Sequence, residues 1–245
     1  MTLQGNFLSF DELRRRLAWA LIDAGAVLTS ESDHPRVITR DGPHGPERGF
    51  HLRHHEKSPK APLSPIYLNL RTPDNPNPGP LTSEIVDMAA ACMNRLVSLR
   101  ELDYHLVAGV PNAGGPFAEA FTRELGVPHA LLRMIKEKMP SSRRPVITLA
   151  SQVNRRGMTA IVIDDVVSDA ESKFETIRLL EEAGLTVRDI VVLVDRGQGG
   201  REKLAKLGYT LHSVFKLPEL LNLCVKSSRI SPALVGDIEA YLATH

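Results

Sequence analysis

Short apolar runs rich in β-branched residues alternate along this chain with longer stretches whose apolar positions fall three and four residues apart. The runs at Ser64–Arg71, His105–Val110, 129–134, Thr159–Ile163, Ile190–Val194 and Tyr209–Phe215 are strand-like. Helical faces are marked by Leu13, Leu17, Leu21 and Ala24, by Ile85, Ala89, Cys92, Met93 and Leu96, by Phe117, Phe121 and Leu125, and by Phe174, Ile177 and Leu180. Shorter helices are predicted near 201–207 and twice in the closing stretch, the last with Ser231 as N-cap and Pro232 at its first position. Strands and helices alternating at these lengths predict an α/β fold, a mainly parallel twisted sheet with helices on both faces.

The most informative stretch is Thr159–Ser172. An apolar strand ends in two carboxylates, Asp164 and Asp165, and a short polar loop leads into a helix that stops at Gly184. Ser168 with Glu171, and Ser172 with Glu175, both have the form of a capping box, so the helix is expected to begin inside this loop. Such a loop aims backbone N–H groups and the positive end of a helix dipole above the sheet, where the usual occupant is a phosphate. A second strand–loop–helix passage, Pro111–Pro116, carries Gly114 and Gly115. Those glycines fit a ligand loop or a structural turn equally.

Before this core, residues 9–25 read as an amphipathic helix with Ser9 and Glu12 as a capping box, its Arg14, Arg15 and Arg16 forming solvated surface. From 29 to 65 the composition turns to His, Pro, Gly and charge, the pattern of an irregular or hairpin-like lobe beside the core. His51, His54 and His55 lack the cysteine or carboxylate partners that would complete a metal site. Prolines at 73, 76, 78 and 80 exclude regular structure from the connector 72–80. Between 136 and 156 the cations Lys136, Lys138, Arg143, Arg144, Arg155 and Arg156 bracket a stretch read by itself as a solvated loop.

Charge barely changes this picture: 30 Lys and Arg stand against 29 Asp and Glu, so the balance does not call for nucleic acid or an anionic membrane. No window approaches the roughly 20 apolar residues of a membrane span, and the two cysteines, Cys92 and Cys224, lie in apolar helical contexts as buried thiols of a reducing compartment. A cytoplasmic protein is expected.

The segments together resemble a type I phosphoribosyltransferase, and within that family the orotate group, including the corresponding domain of UMP synthase. Ile161–Asp165 matches the motif of hydrophobics followed by paired acids. Lys57-Ser58 with Ser64-Pro65-Ile66-Tyr67 is similar to a "K-S … S-P-I-Y" region, with extra residues between its halves. Gly109-Val110-Pro111 with Gly115-Pro116 looks like the pyrophosphate loop, and Asp195-Arg196-Gly197-Gln198-Gly199-Gly200-Arg201-Glu202 like "D-R-x-Q-G-G-R-E". The resemblance implies transfer of a phosphoribosyl group from phosphoribosyl diphosphate to a pyrimidine base, orotate, with release of pyrophosphate and with Mg²⁺ as cofactor. It implies Asp164 and Asp165 as catalytic acids holding ribose hydroxyls and, through water, the metal. It implies Lys136 or Lys138 as the catalytic loop cation, and Lys57, Tyr67, Arg133, Ser168, Ser172 and Arg196 as substrate contacts. Arg196 would meet a pyrimidine carbonyl, unless it is spent on a salt bridge to Asp195. A homodimer with a shared active site follows from the same resemblance. The expected layout is one domain over 1–245: a hood over roughly 1–65, a core sheet over 66–215 and C-terminal helices over 216–245.

One segment departs from the family. Where a small, glycine-centred phosphate loop is expected, the chain reads Ser168-Asp169-Ala170-Glu171-Ser172. Alanine in place of glycine costs on the order of 1 kcal/mol if the backbone needs a positive φ, and two carboxylates oppose a phosphate unless they point away. A transferase for another base or sugar, or a non-catalytic nucleotide-binding member, is therefore carried as the alternative.

Overall fold

The computed structural model describes residues 8–42, 45–52, 55, 58–127, 130–137, 146–149 and 157–244. Along the chain the elements are α1 (Phe10–Asp23), β1 (Val27–Thr29), β2 (Val37–Gly42), β3 (Gly45–Phe50), β4 (Ile66–Leu68), α2 (Ser83–Leu99), β5 (Leu106–Gly109), α3 (Gly114–Glu124), β6 (Leu131–Leu132), β7 (Met134–Glu137), β8 (Val146–Leu149), β9 (Thr159–Val167), α4 (Glu171–Glu182), β10 (Thr186–Asp195), α5 (Gly200–Lys206), β11 (Thr210–Lys216), α6 (Leu217–Lys226) and α7 (Pro232–Thr244).

Among the described residues the central sheet has five strands in the order β11-β10-β9-β5-β6, and every pairing in it is parallel. Buried on both faces, its strands are apolar without alternation: Ala160, Ile161, Val162 and Ile163 of β9 are all at most 1% exposed. Odd and even residues of one strand feed two different cores. Ile161 and Ile163 join α1, α2, α3, α6 and α7 on one face, while Ala160 and Val162 pack with Ile177 and Leu180 of α4 on the other. The α/β expectation holds, and β9 is its axis. Because β5 is flanked by β6 on one side and β9 on the other, the strand order reverses direction between β5 and β9, and α/β sheets bind ligands outside the strand ends at such a point.

Around the sheet several expectations are refined. β2 and β3 form an antiparallel hairpin, the second of the two forms expected of the early lobe, and β1 pairs with β4. The stretch between 136 and 156, read as a solvated loop, contributes to an antiparallel ribbon of β7 and β8. Arg14 is not solvated surface: it donates to Val214 O at 2.8 Å and to Glu219 at 2.5 Å, with its guanidinium over Phe10 and Phe215, tying α1 to β11 and α6. Ser9 caps α1 as expected, accepting the Glu12 N–H at 3.2 Å. Among the described residues, no helix is long and apolar enough to cross a membrane.

Candidate active site

Three loops meet at the C-terminal ends of β5, β9 and β10. The Val110 N–H donates to Ile163 O at 2.9 Å and the Arg196 N–H to Val167 O at 3.0 Å, stitching the first and third loops to the middle strand. The glycines decide how close they come. A Cβ on Gly114 would press into Ile163 O and lie 3.0 Å from Asp164 Oδ1, and one on Gly200 would collide with Ser168 O. Gly114 is therefore the first residue of α3 rather than part of a free loop, and its bare Cα lets that helix start against the acid pair.

Asp164 and Asp165 are 3% and 7% exposed. Asp164 Oδ1 accepts the Asp165 N–H at 2.9 Å, and Oδ2 lies 2.5 Å from the Lys173 ammonium. Lys173, third residue of α4, also donates to Val166 O and reaches Ser172 Oγ at 3.4 Å, so one buried cation closes the loop from both sides. Asp165 uses Oδ1 to accept the Val166 N–H at 2.7 Å, and its carboxyl also shares a side-chain hydrogen bond with Asp164. Burial, and then the adjacent Asp164 carboxylate, push the Asp165 carboxyl well above the usual carboxylate range. Perturbed acids of this kind mark functional sites.

The loop itself does not form either expected capping box. α4 begins behind Ala170, which is buried and holds φ at +69°, the left-handed conformation that glycine adopts without strain. Asp169 and Glu171 both face solvent, and the Asp169 carboxylate accepts the Glu171 N–H at 3.3 Å. The Ser168 and Ser172 side chains stay at the loop, half-buried.

Tyr67 is half-buried beside Phe50, with ring centroids 5.5 Å apart, and its hydroxyl accepts from Arg71, whose charge acts on the Asp165 carboxyl. Arg196 is not paired with Asp195. That carboxylate is taken by Arg201 at 2.9 Å and by the Gly197 N–H at 2.9 Å, leaving Arg196 Nε and Nη2 buried with no hydrogen-bond partner among the described residues. Burial pulls the Arg196 guanidinium below its usual range, and orphaned donors of this cost call for a ligand acceptor. Tyr241 of α7 stands nearby: the Ser64 hydroxyl and the Arg196 charge both act on its phenol, which burial holds above its usual range.

Other sequence-derived candidates sit further out. Arg133 is exposed and lies 3.7 Å from Glu119 of α3, and Lys136 is 4.0 Å from Glu175 of α4. Lys57 and Lys138 lie outside the described residues. Among the described residues, three or more His, Cys, Asp or Glu side chains nowhere gather into a metal cluster. A hollow of about 430 Å³ lined by Asp87, Met88, Arg123 and Glu124 lies at the far end of α3 from Gly114. Sequence reasoning missed Lys173. The signal was present: it shares a helical face with Ile177 and Leu180, so a charge there points inward, one turn from the paired acids.

Comparison with known proteins matches these features. The family model described as "Phosphoribosyl transferase domain" matches residues 83–214. The chain is 33% identical over 180 residues to uridine 5′-monophosphate synthase of Bos taurus, covering 73% of this chain but only 35% of that larger protein. It is 31% identical over 170 residues to orotate phosphoribosyltransferase of Sulfolobus acidocaldarius, covering 69% of this chain and 79% of the relative. Among solved structures, UMP synthase of Leishmania donovani superposes with a TM-score of 0.64 at 31% identity, over 94% of this chain and 42% of the other. With the paired acids at the end of β9, the reversal of strand order beside them and a family match spanning β5 to β11, this chain belongs to the type I phosphoribosyltransferase family, among relatives named orotate phosphoribosyltransferase and UMP synthase.

Proposed function

We propose that this protein transfers a phosphoribosyl group from phosphoribosyl diphosphate to orotate, releasing pyrophosphate, as one step of pyrimidine nucleotide synthesis. The observation that carries the reading is the placement of a base-side guanidinium, Arg196, with two orphaned donors, on the loop hydrogen-bonded to the strand of the acid pair. Arg196 would give a forked donor to a pyrimidine carbonyl. Asp165 would accept ribose hydroxyls. Asp164, its oxygens held by Lys173 and by the Asp165 N–H, would orient Asp165 rather than bind sugar directly. Ser168 and Ser172 would hold the 5′-phosphate with the loop's backbone N–H groups, a role supported by their half-buried place at the start of α4. Tyr67 and Lys57 would line the base side, and Arg133, Lys136 and Lys138 would supply positive charge where the diphosphate leaves.

Magnesium belongs to this proposal. Asp165 would face the water shell of a hard cation, whereas the ammonium on Asp164 leaves that carboxylate a poor partner for one. When bound, the ion would neutralise the diphosphate; the chain's own residues orient the sugar and the base. The chain is read as one domain that works as a homodimer in the cytoplasm.

The test is an absorbance assay of orotate consumption with phosphoribosyl diphosphate and Mg²⁺. Turnover of orotate supports the proposal; turnover only of another base, or of none in a panel, rejects it. One observation favours a second reading, a nucleotide-binding member without turnover: the internal cation on Asp164. Calorimetry showing saturable nucleotide binding without turnover would select it.

A further inference from the structure

Of the ion pairs among the described residues, Lys173–Asp164 alone has both side chains less than a tenth exposed, at 6% and 4%. A buried ammonium persists only when its protons find acceptors and its charge a partner. Lys173 Nζ has three acceptors: Asp164 Oδ2 at 2.5 Å, Val166 O, and Ser172 Oγ at 3.4 Å. The backbone holds it there. The left-handed turn at Ala170 sets the start of α4, the Lys173 N–H donates to Ala170 O at 3.0 Å, and the third helical position then faces the sheet on the stripe of Ile177 and Leu180.

The other oxygen of Asp164 is committed as well. Oδ1 accepts the Asp165 N–H at 2.9 Å, and α3 begins against it, a Cβ on Gly114 falling 3.0 Å away. The carboxylate thus meets an ammonium, a backbone donor and the positive end of an 11-residue helix. Its negative charge is satisfied from inside the protein. Lys173 and Arg71 also act on the Asp165 carboxyl, so the two acids already face two cations. A hard dication seeks carboxylate oxygen directly or through water. On Asp164 it would have to displace the ammonium or stand beside it, where a double charge and a single charge repel twice as strongly as two unit charges at the same separation.

We infer that the Lys173 ammonium is a resident counter-ion that takes the place of a divalent cation at Asp164 and closes that carboxylate to metal. Of the acid pair, Asp165 alone remains for an ion. Lys173 is then a positioning residue that acts through Asp164, holding the charge of the site without an ion from solution. The inference deepens the phosphoribosyl-transfer reading, but its test uses the metal alone. Absence of orotate turnover would reject that reading and leave the metal result standing.

The test is titration of the full chain, free of substrate, with Mn²⁺, which shares the oxygen-ligand preference of Mg²⁺, the free ion being followed by electron paramagnetic resonance. Lys173→Met removes the charge, and Lys173→Gln removes it while keeping a donor for Asp164, which guards against loss of the fold in the first variant. Both are expected to bind Mn²⁺ at least about ten-fold more tightly than the unaltered chain, because a dication gains a carboxylate and loses a like charge. A purely structural role for Lys173 predicts no gain, since a loosened site does not bind metal better. Combining Lys173→Met with Asp164→Asn should return the affinity to within about three-fold of the unaltered chain, the carboxylate ligand being gone. Equal affinity of the unaltered chain and the Gln variant overturns the inference, and so does a gain that persists in the double variant, which would assign the ion to Asp165.

Discussion

Replacing Lys173 by methionine isolates the least expected feature of the site. The Lys173 ammonium and Asp164 carboxylate are 6% and 4% exposed and 2.5 Å apart. Methionine preserves most of the stem volume, so the loss is electrostatic, and removing one partner of a buried pair costs about 3–5 kcal/mol because the other charge is stranded. The stranded carboxylate escapes only by binding a proton, which becomes easier by about 1.4 kcal/mol for each unit that the pH falls. Urea unfolding followed by circular dichroism should show a large deficit for Lys173→Met at pH 8 and a smaller one at pH 5. Adding Asp164→Asn should recover most of it, with a coupling energy of about 3 kcal/mol in the double-mutant cycle. A loss below about 1 kcal/mol at pH 8, the worth of an exposed pair, would refute the reasoning, as would a double variant no more stable than the single one.

Other perturbations probe the same architecture. Gly114→Ala should displace α3 from β9, destabilising the fold by about 1–3 kcal/mol and cutting turnover; an alanine variant that unfolds at the same urea concentration would show that the close approach is not needed. Asp169→Thr combined with Glu171→Gly should tighten phosphoribosyl diphosphate binding by several-fold only, since both carboxylates face solvent, and calorimetry finding no change would clear them of any obstruction. Burial raises the thiols of Cys92 and Cys224 to about 12 and about 11, so a disulfide reagent should label neither in the native protein and both in urea. The sign of the accompanying pH effect follows. The unfolded thiols ionise near 9.0 while the folded ones stay protonated, so their contribution to stability is intact below pH 9 and declines from there toward pH 12. A flat stability profile over that window would contradict their burial.

The arrangement of the core was legible because burial on two faces leaves a plain mark on sequence. Strands such as Ala160–Ile163 are apolar throughout, the helices between them carry apolar residues at helical steps, and such a pattern has few solutions other than a parallel sheet with both faces covered. The acid pair could be located because adjacent carboxylates at the end of a buried strand are costly unless used. Helix starts were less legible. Ser168 and Ser172 have the right spacing for caps, but the tertiary path drives Ala170 into a left-handed turn that spacing does not encode.

Partnership was beyond sequence reach. Asp195 could bind either Arg196 or Arg201, and only packing, which aims Arg201 at Asp195 and Ser213, leaves two Arg196 donors unpaired. Arg36 and Tyr67 are far apart along the chain, and the hairpin of the early lobe brings them together. Lys173 carries the same lesson, since its place on an apolar stripe could be read from periodicity, whereas its choice of Asp164 could not. Hydrophobic patterning is a local, repeating constraint and so is written along the chain. The pairing of charges depends on distances across the fold, where a shift of a few ångströms exchanges one partner for another, and that was decided by the tertiary structure.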